Sequence, residues 1–147
     1  MKRSPLQLEN YFITALNVTA NRDYNPQQGG ELKDEGLEIE PYFTPKADSP
    51  RSWQVILHIQ LQSASGRNVP YYFMVEIVGF FTVSESYPDD KIEWLVRTNA
   101  TSVLYSTARE ILRNTMAQGP FSPLLLPTAS FYLPETFKML EKNEEKG

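Results

Sequence analysis

The side chains that could do chemistry are few and poorly grouped. The chain holds one histidine and no cysteine. His58 falls on the polar parity of the run SWQVILHIQLQ (52–62), with Ile56 and Gln60 as its neighbours on that side. One imidazole without further ligands nearby makes neither a metal site nor a catalytic triad. The lack of thiols excludes a disulfide framework, a thiolate metal site and a cysteine nucleophile. Asp34-Glu35 lies in a polar stretch, and Asp89-Asp90 follows Pro88 where a helix begins. Solvation and capping account for these acid pairs better than acid–base work does. Gly29-Gly30 has no buried strand before it and no Lys-Ser/Thr after it, so it is not a phosphate loop. Arg109-Glu110, with Arg113 close by, reads as a solvated helical pair. The alternative is an oriented pair that fixes the following loop through backbone carbonyls. No set of residues emerges to carry an enzymatic reaction, and no cofactor is implied.

The stronger feature is apolar. Residues 118–131 read QGPFSPLLLPTASF, and no charged residue occurs from Asn114 to Pro134. Prolines at 120, 123, 127 and 134 forbid a regular helix or a central strand there. The chain also carries 8 Tyr, 8 Phe and 2 Trp, more than core filling at Trp53, Phe73 and Phe81 uses. Phe121, Phe131, Tyr132 and Phe137, together with Tyr72, Met74 and Phe80, form a set too large for one small helix to cover. With Leu124 and Leu126 they predict an apolar groove or interface. Proline reduces the entropy lost when such a segment is ordered, and the absence of charge avoids a desolvation penalty when it is covered.

These residues need a scaffold. A chain of 147 residues supports one domain with a real core. We expect that domain over 1–140, with a frayed polar tail at 141–147. The net charge of −4 and pI near 5.0 argue against nucleic acid and anionic lipid as partners and fit docking of a basic partner. The start, MKRSPLQLEN, has no apolar stretch behind its basic residues, so no secretory signal is expected. No run approaches the roughly 20 apolar residues of a membrane helix. No membrane insertion is expected, and a cytoplasmic location is compatible with the cysteine-free composition.

Residues 6–20 place Leu8, Phe12, Leu16 and Val18 on one parity, as in a strand. Residues 21–36 are polar, with Asn-Pro and Gly-Gly, and predict a long surface connection. Residues 37–44 alternate again, and Pro41 places them at a sheet edge or a bulge. Residues 52–62 alternate cleanly, with Trp53, Val55, Leu57, Ile59 and Leu61 on one face. After the turn SGRN (65–68), the run VPYYFMVEIVGFFTV (69–83) is apolar on both parities and needs cover on both sides. Asp90 and Glu93 have capping-box spacing at the start of a helix whose stripe is Ile92, Leu95 and Val96. A second helix over about 102–118 carries Leu104, Ala108, Ile111, Leu112 and Met116, with Gly119 and Pro120 as its stop. A short amphipathic helix with Phe137 and Leu140 follows Pro134. The order predicts an α+β fold: a four-stranded antiparallel sheet with a long helix and a short C-terminal helix on one face.

The segment VLYSTAREILRNTMAQGPFSPLLLPTASF resembles the SecB family of protein-export chaperones. The matching features are Leu104-Tyr105 with Ala108-Arg109-Glu110 in the long helix, then Gly119, Phe121, the Leu124 to Pro127 loop and Phe131. The hairpin WQVILHIQLQSASGRNVPYYFMVEIVGFFTV is similar to the family's central hairpin and keeps its acid at Glu76. The resemblance runs from about Leu6 to Phe137. It implies a homotetramer, a dimer of dimers, that holds unfolded polypeptides without ATP in an apolar groove. It implies two alternative duties: presenting preproteins for export, with the translocase motor SecA as partner, or protecting an antitoxin in a toxin–antitoxin system. Where the family's first strand carries acids that dock SecA, this chain has Ala15 and Thr19. The family's double proline is replaced by Pro127-Thr128. A rival of another class is a small apolar-ligand binding protein, since a curved sheet over a long helix can enclose a lipid-sized molecule.

Overall fold

The computed structural model describes residues 2–28, 36–64, 66–129 and 131. They form strands β1 (Leu6–Ala20), β2 (Leu37–Lys46), β3 (Ser49–Leu61) and β4 (Tyr71–Val83), then helices α1 (Ile92–Leu95) and α2 (Thr101–Met116). The strands make one antiparallel sheet in the order β1-β4-β3-β2. β2, β3 and β4 follow one another as a meander, and β1 lies beside β4, which is Greek-key connectivity. The chain leaving β1 must therefore cross the sheet to start β2, about 14 Å at ordinary strand spacing. The α+β architecture predicted from the element order is the one observed. The expected C-terminal helix, the boundary at 140 and the tail at 141–147 lie outside the described residues.

One face of the sheet builds the core. Val55, Leu57, Ile59 and Leu61 of β3 and Tyr71, Phe73, Val75, Ile77 and Phe81 of β4 are buried there against Leu104, Ala108, Leu112 and Met116 of α2. At Gly79 the packing is tight: a Cβ would stand 2.7 Å from the Phe81 ring and 2.8 Å from Leu104 of α2. Among the described residues, side chains of β3, β4 and α2 pack together between sheet and helix.

Three local expectations change. First, β1 does not keep one parity. Its register slips between Leu8 and Asn10 and again between Ile13 and Ala15. Each bulge inserts an extra residue and turns the strand over. Leu8, Leu16 and Val18 pair with Phe81, Val75 and Phe73 on the helix side, whereas Phe12 pairs with Val78 on the opposite side. Second, the capping box does not form. Pro88 and Lys91, at the starts of the 3₁₀ turn Asp89–Lys91 and of α1, make no side-chain cap. Asp89 instead pairs with Arg51, whose guanidinium also donates to the Ser84 and Tyr87 carbonyls. Third, the two predicted helices are one interrupted helix. A π-helical turn, Val96–Ala100, joins α1 to α2. Such a turn weakens the regular ladder. The hydroxyls of Thr98, Thr101 and Ser102 donate to the carbonyls of Trp94, Arg97 and Thr98 and help satisfy it. Arg97 binds Glu93 and lies 5.0 Å from the Phe43 ring, tying this turn to β2.

Candidate functional site

The uncharged run folds back over the end of the core as an irregular segment held by two buried phenols. Tyr71, 2% exposed, lies on the helix face of β4. Its oxygen accepts the Phe121 N–H at 2.9 Å, and its O–H points between the carbonyls of Phe121 at 2.8 Å and Met116 at 3.1 Å. Tyr105 of α2, also 2% exposed, donates to the Pro127 carbonyl, and its ring meets Phe131 edge-on at 5.6 Å. Leu126 is 4% exposed and plugs into the core. Between these anchors Phe121, Leu124 and Phe131 stay half-buried, while Leu125 is 69% exposed. Gly119 is needed for closeness rather than for a left-handed conformation, since a Cβ there would lie 2.4 Å from the Tyr71 oxygen.

A third segment completes this rim. Asn21 bonds the Val69 and Pro70 carbonyls through its side chain and backbone N–H. Asn25 and Asn68 exchange two bonds of 2.8 and 2.9 Å. These fix the start of the crossover beside the β3–β4 connection. They set the Tyr24 ring edge-on to Phe121, with centroids 5.1 Å apart. Tyr24 escaped the sequence reading because it is one aromatic in a polar connection. The anchoring roles of Tyr71 and Tyr105 escaped it because both alternate like ordinary core residues. The Arg109-Glu110 pair lies on the helix surface, as the solvated reading expects. Arg109 lies over the Tyr105 ring at 5.8 Å, and Glu110 faces Arg113 at 3.9 Å.

The predicted groove set divides into two. Tyr72, Met74 and Phe80 occupy the face of β4 turned away from the helix, so they are not continuous with Phe121, Leu124, Leu126 and Phe131. Tyr132 and Phe137 lie outside the described residues. On the open face, Phe12, Val78, Ile56 and Tyr42 line up across all four strands. Phe12 and Tyr42 are more than half exposed, and Phe80 sits edge-on to Phe12 at 5.9 Å. A cleft of about 430 Å³ lies beside this row, between Glu9 and Lys46 with Phe80 in its lining.

The next row, Ala15, Glu76, His58 and Glu40, is polar apart from Ala15. Glu76 accepts from Thr14 at 2.8 Å and lies 3.8 Å from the His58 ring. Tyr42 donates to Glu40 at 2.9 Å. That bond, and then the negative charge of Glu40, holds the phenol above its ordinary pKa. Among the described residues, no group of three or more His, Asp or Glu is placed to hold a metal ion. No described helix is long and apolar enough to cross a membrane.

Comparison with known proteins gives a consistent picture. The family model for preprotein translocase subunit SecB matches residues 36–133, two thirds of the chain. A protein-export protein SecB of Hyphomonas neptunium is 24% identical over 95 residues, covering 65% of this chain and 57% of its own length. The SecB of Rhodopseudomonas palustris is 29% identical over 79 residues, covering 54% and 50%. This chain thus spans between half and three fifths of those relatives. Among solved structures, the fold matches a SecB-like chaperone of Mycobacterium tuberculosis in complex with an antitoxin peptide. The TM-score is 0.63 at 17% identity, over 86% of this chain and 91% of the other.

Proposed function

Because the chain belongs to the SecB family, we propose that it is a cytoplasmic, ATP-independent holdase that binds non-native polypeptides along the Tyr24–Phe121–Phe131 rim. The observation that carries this reading is the charge-free loop pinned by buried tyrosines. It leaves Leu125 largely exposed and Phe121, Leu124 and Phe131 half-exposed. Covering such a surface gains about 25 cal/mol per Å² of apolar area, whatever the client's sequence. Leu126, buried as an anchor, supports the rim from beneath.

The homotetramer is part of the same reading. β1 is a 15-residue edge strand with no proline and Glu9 as its one charged residue. β2, at the other edge, carries Pro41, Pro45, Glu38, Glu40 and Lys46. Proline and charge blunt an edge against pairing, and β1 lacks these guards. Its exposed Tyr11, Phe12 and Leu16 suit pairing with a second copy.

Export preproteins are the clients that the family description suggests. Antitoxin protection is the second reading. Ala15 stands opposite Glu76, and Thr19 opposite Tyr72, so the open face has lost two acids expected for docking SecA. The M. tuberculosis chaperone of the same fold was solved with an antitoxin peptide. The test of holding is suppression of aggregation by stoichiometric amounts of the folded protein, using a chemically denatured model substrate. Undiminished aggregation would sink the proposal. Titration with SecA then separates the readings: binding supports export, and none supports antitoxin protection.

A further inference from the structure

The Tyr71 hydroxyl makes contacts that core packing alone does not require. It bonds both backbone polar groups of a single residue, Phe121, and also faces the last carbonyl of α2 at Met116. Its ring meets the Phe121 ring at 6.0 Å, and Gly119 lies so close that no side chain fits between. One phenol therefore sets both where the loop leaves the helix and which way Phe121 points, toward Tyr24 on the crossover.

From this geometry we infer that Tyr71 is a positioning residue. Its hydroxyl pre-organises the 117–125 segment so that the apolar rim exists before a client arrives. This rests on the holdase reading. An irregular apolar loop without such a clamp populates its competent shape only part of the time, and apparent affinity falls by that fraction. The loss then appears in the association rate, because the bound state is unchanged. A residue that touches the client, such as Leu125, instead alters the dissociation rate.

Tyr71→Phe keeps the ring against Phe121 and Gly119 and removes only the hydroxyl. Binding of reduced, carboxymethylated α-lactalbumin is followed by stopped flow, and backbone amide exchange over 117–123 by mass spectrometry. In Tyr71→Phe, exchange is expected to quicken about tenfold and association to slow about fivefold, corresponding to one or two lost hydrogen bonds, with dissociation unchanged. Gly119→Ala displaces the same hydroxyl and should give the same pattern. The double variant should lose less than the two singles multiplied, because both act on one contact. If Tyr71→Phe does not fold, Gly119→Ala alone decides on the same two readouts.

Faster exchange with unaltered association would overturn the positioning role. Unaltered exchange would overturn the clamp itself. Failure of the unsubstituted protein to bind the substrate would instead sink the holdase reading, and the positioning role with it. That outcome is recognisable because it needs no variant.

Discussion

The molecule presents two apolar surfaces built on opposite principles. The rim from Phe121 to Phe131 is irregular and carries no charge, and buried side chains hold it from behind. The open sheet face is built on paired strands, and its apolar row is bordered by Glu76, Glu40 and His58. A surface without fixed charges or unused strand geometry gives little to discriminate one client from another. A flat face with an apolar row and acids at set spacing discriminates by charge and position. In the proposed reading, holding and docking fall on different surfaces.

The sharpest way to break this comparison is inside the rim, at two adjacent leucines. Leu126 is buried and Leu125 is 69% exposed. Leu126→Ala removes a core anchor and should cost about 2–4 kcal/mol of stability. Leu125→Ala should stay within about 0.5 kcal/mol of the parent while weakening client binding. Denaturant unfolding and client titration on the two variants check this. Equal stability losses would mean that the loop is merely core and presents no surface.

The second contrast sets one surface against the other. Phe131→Asp removes the ring packed on Tyr105 and places a charge in the uncharged rim. Client affinity should fall at least about tenfold, since an apolar contact is exchanged for a carboxylate that must be desolvated. Phe80→Asp, on the open face, should leave client affinity within about twofold by the same physical argument. A matching loss in both would merge the surfaces into one binding site. Dissociation of the oligomer by Phe131→Asp would relocate Phe131 to a subunit contact.

The fold was legible because alternation and helical spacing are local properties. β3 reads as a strand because Val55, Leu57, Ile59 and Leu61 alternate with polar residues, and the structure buries the same four. Pro41 narrowed β2 to an edge or a bulge, and the strand order places it at the edge. The errors arose where non-local pairing overrides local pattern. Nothing in ENYFITA signals that Glu9 and Thr14 bulge against β4, yet those two bulges bring Phe12 to the open face. The candidate site was legible as composition, in the uncharged run and its aromatics. It was not legible as geometry. Grouping Tyr72, Met74 and Phe80 with Phe121 treated shared chemistry as shared location, and β4 sends adjacent residues to opposite faces. Tyr24 was invisible because its importance depends on Phe121, nearly a hundred residues away in the chain.

Ionic strength offers the finest distinction between the surfaces. The rim has no charge to screen, so client affinity should change less than about twofold between 50 and 500 mM NaCl. If a basic partner docks on the open face through Glu76, Glu40 and Glu38, as proposed, screening over about 3–10 Å should weaken the docking severalfold across the same range. Glu76→Gln removes the acid nearest the centre of that face. Its partners, Thr14 and His58, are themselves partly exposed, so stability should move by about 0.5 kcal/mol or less. SecA titration, if SecA binds at all, should weaken in Glu76→Gln and lose part of its salt dependence, whereas holding of a denatured substrate should be unaffected. Salt-sensitive holding would locate the client on the acidic sheet face and reverse the assignment of the two surfaces.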